Sequence, residues 1–243
     1  MKMPWSLILM VLTLGAVAPA AHAAFTLGSG RPATETRAVG EFEAISTAGS
    51  IDIVVRQGAK ESVEVTADDN LLPLVETTVE TGSRGRTLSI RTQRGASFHT
   101  RSPMRVTVTV VKLSAIASSG SGNVEVQSLA TPALKLSIAG SSDAVLRGLK
   151  TTALEIGISG SGDVKADGTA TQVRVSIAGS GNAALSELVA DDVTVSIAGS
   201  GDANVTANKS LDVRVAGSGD VIYGGNAPQV HSKIAGSGSV TKR

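Results

Sequence analysis

The 243 residues hold 22 Lys and Arg against 21 Asp and Glu, a near-neutral balance that excludes bulk electrostatic capture of nucleic acid. There is no cysteine, which excludes a disulfide framework and a lipidated-cysteine anchor. Aromatic residues make up 2% of the chain; beyond Trp5 they are Phe25, Phe42, Phe98 and Tyr223, too few to build stacking platforms for bases or sugars.

The chain opens with Lys2, an almost wholly apolar run from Leu7 to Val17, and then Ala21, His22, Ala23. This pattern predicts a secretory signal peptide over 1–23 with an A-x-A cleavage site. Its apolar run is short for a bilayer span, so the mature chain is expected to carry no transmembrane segment and to reach the periplasm or the exterior. Removal of Lys2 would leave equal numbers of acids and bases. Residues 24–40 mix Gly, Ser, Pro and Thr and are expected to form a flexible leader. Residues 41–111 alternate apolar and polar side chains in IDIVV (51–55), SVEVT (62–66), VETTV (75–79), TLSI (87–90) and RVTVTV (105–110), which is strand patterning broken by turn chemistry. This part is expected to be the N-terminal strand-rich portion of the same solenoid as the rest. The segment LLPLV (71–75) suits one helical turn.

Residues 112–243 repeat. A turn glycine recurs at Gly120, Gly140, Gly160, Gly179, Gly199, Gly217 and Gly236, in steps of 18 to 20 residues. A unit this short cannot bury its own apolar face and becomes stable by stacking on copies of itself. Before each turn the alternation is of period two, as in Val193, Val195 and Ile197, and it resumes afterwards, as in Ala203 and Val205. The reading is therefore an all-β, right-handed parallel β-helix or β-roll with about 20-residue coils and GSG turns. At roughly 4.8 Å per rung the seven turns would form a ridge about 30 Å long. Ser114 and Ser118 stand where later copies carry aliphatic residues, so a bulge or register change is expected there. The basic tail, Lys242 and Arg243, is expected to blunt the open edge of the last coil.

The segment FEAISTAGSIDIVVRQG (42–58), followed by SVEVTADDNLLPLVETTVE (62–80) and the GSG turns, resembles the head GIN domain family, described as putative autotransporter adhesin heads. The resemblance runs from about Glu41 to the C-terminus. It implies a right-handed β-helix-like stack, export to the cell envelope, an adhesive role and no established catalytic residues. Many members resemble lipoproteins; with no cysteine here, direct membrane attachment is not expected, nor is a self-contained autotransporter barrel.

Three constellations are candidates for chemistry. The corner column Asn123, Asp143, Asp163, Asn182, Asp202 and Asp220 offers hard oxygen ligands of the kind calcium takes. Calcium β-rolls, however, repeat GGxGxD every nine residues, so the column is read as structural: side chains satisfying turn amides, with no metal and no cofactor expected. Between Thr81 and Val124 lie seven cations and no acid. Of these, Arg84, Arg86, Arg91 and Arg94 are read as a contact for an anionic envelope polymer such as a glycan, against the alternative of a solvated face. The carboxylate pairs Asp68 with Asp69 and Asp191 with Asp192 would diverge if they lie in strands, only His99 and His231 remain after cleavage, with His231 outside the inward series Val230, Ser232 and Ile234, no serine has a credible base, and no phosphate, zinc or dinucleotide motif is present. The expected function is a non-enzymatic envelope protein presenting a surface to a partner. The alternative is a module that binds or degrades polysaccharide. The partner and the oligomeric state are not specified by the sequence.

Overall fold

The computed structural model describes residues 25–82 and 85–243; the expected signal peptide and Arg84 lie outside the described residues. In chain order the strands are β1 (Phe25–Leu27), β2 (Pro32–Arg37), β3 (Ala44–Gly49), β4 (Asp52–Gln57), β5 (Ser62–Asp68), β6 (Val75–Gly82), β7 (Gly85–Thr92), β8 (Ser97–His99), β9 (Arg105–Val110) and β10 (Ala115–Gly120). There follow β11 (Val124–Gln127), β12 (Ala130–Gly140), β13 (Ala144–Gly160), β14 (Val164–Gly179), β15 (Ala183–Gly199), β16 (Ala203–Gly217), β17 (Val221–Gly224), β18 (Gln229–Gly236) and β19 (Val240–Lys242). A single 3-10 turn at Leu72–Leu74 is the only helical element among the described residues.

From β10 onward every pairing is parallel, and equivalent residues of successive coils lie in register. Ser118, Ile138, Ile158, Ile177, Ile197, Val215 and Ile234 form one column. The glycines from Gly120 to Gly236 form another. Each coil has two walls that meet at the glycine corner. The wall before the corner buries three alternate residues, for example Val193, Val195 and Ile197, and the wall after it buries two, Ala203 and Val205. Burying each such aliphatic side chain stabilises the fold by about 1.5–3 kcal/mol before the entropy of ordering is subtracted. A regular two-residue alternation therefore becomes one continuous core running the length of the stack.

The stack begins earlier than the GSG repeats. β3 pairs parallel with β10 and β4 with β11, which places Gly49 beneath Gly120. Residues 44–57 are thus a coil of the solenoid, separated from the next by an excursion of the chain. That excursion builds the N-terminal end: β7 and β9 add parallel to β3 and β4, then β6, β5 and β2 add antiparallel. The link from β5 to β6 passes between the walls and buries Leu71 and Leu72.

Two expectations differ from this structure. The described part of the expected leader, residues 25–40, does not hang free, since β1 pairs with β8 and β2 pairs along the edge of β5. Without β2 that edge would leave a row of amides and carbonyls unpaired, and Pro32 is tolerated because it is the first residue of an edge strand. Nor is there a bulge at β10, which keeps unbroken register from Ala115 to Gly120. Register shifts occur instead on the far side of the coils, between Leu146 and Leu149, Lys165 and Asp167, and Leu185 and Val189, where coil lengths of 18 to 20 residues are reconciled.

Candidate functional site: the glycine corner and the charged surfaces beside it

All seven turn glycines have positive φ, from 103° at Gly140 to 139° at Gly217 and Gly236, a region closed to most side chains. Conformation is half of the requirement. A Cβ on Gly199 would lie 2.2 Å from the Gly179 carbonyl oxygen of the coil beneath, so the corner glycine is also fixed by the stacking distance. The second glycine of each GSG faces inward. A Cβ at Gly201 would lie 2.1 Å from the Gly181 oxygen and 2.9 Å from a γ-carbon of Ile177.

At one corner the second-glycine pattern changes on both sides of the contact between coils. Ser142 replaces the second glycine, and the residue at the Ile177-equivalent position of the coil beneath is Ser118. Both are buried, at 0% and 3% exposure, and the Ser118 hydroxyl donates to Ser142 Oγ at 3.0 Å. A smaller residue below makes room for a larger one above, and the hydrogen bond satisfies two polar groups that burial would otherwise penalise.

The exposed Asn and Asp residues of the corner form a ladder between coils. The Asp52 carboxylate accepts the Asn123 amide, Asn123 accepts that of Asp143, Asp143 that of Asp163, and Asp163 that of Asn182. Asn182, Asp202 and Asp220 continue it to Asp202, Asp220 and Ser239, and the contacts span 2.8–3.3 Å. The amide satisfied is that of the next coil, whereas the sequence suggests one within the same turn. Asp52 and Ser239, the ends of the ladder, were signalled only by Gly49-Ser50 and Gly238 beside them. Among the described residues no group of three or more His, Asp or Glu is placed to hold a metal ion.

The basic run is not a convergent set of free cations. The Arg86 guanidinium pairs with Glu41, and Arg91 Nε lies 2.9 Å from the Glu76 carboxylate. Arg94 is exposed in the turn after β7. Glu76 comes from β6, which pairs with β7, and Glu41 from the segment before β3, which a count along the chain cannot show. Exposed pairs of this kind are worth at most about 1 kcal/mol each. Above the run, a cleft of 630 Å³ lies between Gly49–Asp52 at the foot of the ridge and the Ala96–Met104 segment, with Phe98 and His99 in its wall. The carboxylate lining this cleft is Asp52, whose Oδ1 already accepts the Asn123 amide.

The remaining acid pairs also have structural partners. Asp68 is buried and accepts from the amides of Gly30, Arg101 and Ser102 and from the Ser102 hydroxyl. The Arg101 amide and the Ser102 hydroxyl hold its carboxyl below the usual range, against the opposing effect of burial. Asp69 is lowered by the Ser29 hydroxyl and by Arg31. Asp191 pairs with Lys209 at 2.9 Å and raises the lysine, while Asp192 accepts the Ser210 hydroxyl at 2.6 Å. Neither pair directs two carboxyl groups at one point.

Compared with known families, residues 41–227 match the profile described as "Putative auto-transporter adhesin, head GIN domain". The chain belongs to the head GIN domain family. Its fold is close to that of a putative adhesin from Bacteroides fragilis, with a TM-score of 0.81 at 25% identity, covering 89% of this chain and 99% of that one. A putative adhesin from Parabacteroides distasonis gives 0.69 at 25% identity, covering 90% and 100%. A protein of the same species described as a putative lipid binding protein gives 0.74 at 24% identity, over 90% and 100%, a likeness of fold. Comparison with curated proteins gives no match. No helix among the described residues of this head GIN domain protein is long and apolar enough to cross a membrane.

Proposed function

We propose that this protein is an exported, non-enzymatic, adhesin-like component of the cell envelope whose solenoid presents a rigid surface to a partner. Membership of the head GIN domain family over residues 41–227 carries this reading. The geometry supports it: the corner carboxylates are engaged by amides, the acid pairs diverge, and stacking fixes the outer faces of eight consecutive corners from Gly49 to Gly236. Export rests on the signal-peptide pattern of residues 1–23.

The test is direct. Protein purified from a host that exports it is coated on a surface, and capture of whole cells and of envelope fractions is measured against a heat-unfolded control. Mass spectrometry of the N-terminus should show processing after Ala23. Capture no greater than that of the unfolded control ends the adhesin reading, and an unprocessed N-terminus ends the export reading.

The anionic-glycan contact at Arg84, Arg86, Arg91 and Arg94 is a narrower proposal, because Arg86 and Arg91 already have acidic neighbours. Replacing all four by Ser should weaken binding to an acidic polysaccharide, and salt should weaken parental binding, since the screening length shrinks to about 8 Å at physiological ionic strength. Unchanged binding in the variant leaves these arginines as a solvated face.

A further inference from the structure

The corners of the solenoid are closed by amides that reach to the coil beneath. The Ser141 amide donates to the Gly120 carbonyl, Ser161 to Gly140, Ser200 to Gly179 and Ser218 to Gly199. Below them the Gly49 carbonyl accepts two, those of Ser121 at 3.0 Å and Gly122 at 3.1 Å. Gly49, Ser50 and Ile51 stand in register under Gly120, Ser121 and Gly122, so the Ser50 and Ile51 amides face the next coil down in the same way. There the pattern stops. β7 pairs with β3 as far as Thr47 with Ile90, and the chain rejoins the stack where Arg105 of β9 pairs with Asp52. Residues 93–104 replace the short corner between them. A Cβ on each later corner glycine would meet the glycine carbonyl oxygen beneath at 2.7 Å or less, whereas one on Gly49 would meet no atom within 4 Å.

The space left is the 630 Å³ cleft between Gly49–Asp52 and Ala96–Met104, inside the range of roughly 300–1,000 Å³ that small-ligand sites occupy. Among the described residues the Ser50 and Ile51 amides have no acceptor. A ligand covering the cleft would strip both donors of water, so it must bring them an acceptor oxygen. The lining describes the rest of that ligand. The Thr92, Ser97 and Thr100 hydroxyls lie around the cleft, and Phe98 and Met104 supply an apolar wall. No Lys or Arg lines it and its carboxylate is Asp52, so a neutral acceptor suits it better than an anion. The main chain on either side is already paired, the Asp52 amide with the Met104 carbonyl and β8 with β1. What remains is a two-amide gap and not an edge for a peptide strand.

We infer that this cleft binds a neutral N-acetylated sugar. Its acetamido carbonyl oxygen accepts from the Ser50 and Ile51 amides, as the Gly49 carbonyl accepts from Ser121 and Gly122 one coil above, so that one amide carbonyl stands in for another. The acetyl methyl meets Phe98 and Met104, and the sugar hydroxyls meet those of Thr92, Ser97 and Thr100. A site whose donors would otherwise be covered and unpaired discriminates strongly against an analogue that lacks the acceptor. The inference deepens the adhesin reading and rests on it for the setting in which such a sugar is met; binding by purified protein needs no cell, so the two fail separately.

The probe is N,N′-diacetylchitobiose, titrated into isotope-labelled protein and followed by amide NMR. The Ser50 and Ile51 amide signals should shift to saturation, while those of Ser141 and Ser200, whose acceptors are glycine carbonyls, stay in place. Cellobiose, which has hydroxyls where the probe has acetamido groups, should bind at least roughly tenfold more weakly. Ala96→Trp, which sets a large ring at a half-exposed position of the lining, should weaken binding of the probe at least roughly tenfold and melt with the parent. Unmoved Ser50 and Ile51 signals, equal binding by cellobiose, or parental affinity in Ala96→Trp overturns the inference. So does tighter binding by a terminally blocked Gly-Ala-Gly peptide, which would make a protein segment the occupant. Binding of the probe without capture of whole cells upholds the inference and ends the adhesin reading instead.

Discussion

At the scale of the residue, the corner shows why one position tolerates nothing but glycine while its neighbours vary. Gly199→Val places a branched side chain at φ 137° with its Cβ 2.2 Å from a carbonyl oxygen that cannot move without displacing a coil. It should cost more than about 3 kcal/mol, the upper end for backbone strain alone. Thr194→Val, on the outer face of the same wall, should fall within about 0.5 kcal/mol of the parent, as surface changes do. Chemical denaturation of the two variants checks this, and equal losses would remove the stacking argument. The serine pair gives a sharper test. Ser118→Ile alone crowds Ser142, and Ser142→Gly alone leaves Ser118 buried without its partner; each should cost about 1–3 kcal/mol. The double variant restores the Gly-over-Ile pattern of the next four corners and should match or exceed the parent, so the cycle should show coupling of about 1–3 kcal/mol. Additive losses would mean the two positions do not sense each other. The glycine column was legible from spacing. The serine exchange was visible only as irregularity, because its cause lies between coils about 20 residues apart.

At the scale of the element, the least legible part was the N-terminal edge. Residues 24–40 have the composition of a linker, yet β2 completes a sheet, and its hold depends on Asp68, far along the chain. Gly30, Arg101 and Ser102 all donate to that carboxylate, and Gly28 leaves space for it, since a Cβ there would lie 2.0 Å from Asp68 Oδ2. The folded carboxyl is shifted below its ordinary value. Its contribution is therefore fully present above the unfolded value near pH 4 and is lost as pH falls through the lower folded value. Hydrogen exchange should show the Gly30 and Arg101 amides losing protection on acidification below about pH 4, ahead of the β13–β16 amides. Asp68→Asn replaces one of the two acceptor oxygens by a donor amide, so at least one of these two backbone amides should be under-protected already at neutral pH. Full protection in that variant would show that the carboxylate does not hold the edge. The first coil, β3–β4, was half legible. The words STAGSID resemble the later corners, but the 71 residues from Gly49 to Gly120 hide their adjacency.

At the scale of the whole molecule, the period of the sequence is the period of the structure, and it gives a ridge whose outer chemistry is set coil by coil. The two ends are built differently: antiparallel strands with paired charges at the start, parallel strands at the finish. What the sequence could not disclose was pairing across space, which provides Arg86 with Glu41 and Arg91 with Glu76 and turns a run of cations into a mostly neutralised face. The central claim is that each coil is an interchangeable rung held by register at the glycine corner. Because Gly179 lies directly beneath Gly199, removing residues 180–199 should close the stack without a seam. Small-angle scattering on that variant is the decisive measurement. A folded particle about 5 Å shorter than the parent, one rung of parallel strands, is the predicted result, whereas removing only 180–189 should give an expanded chain. An unfolded full-coil variant, or a half-coil variant as compact as the full-coil one, would contradict it.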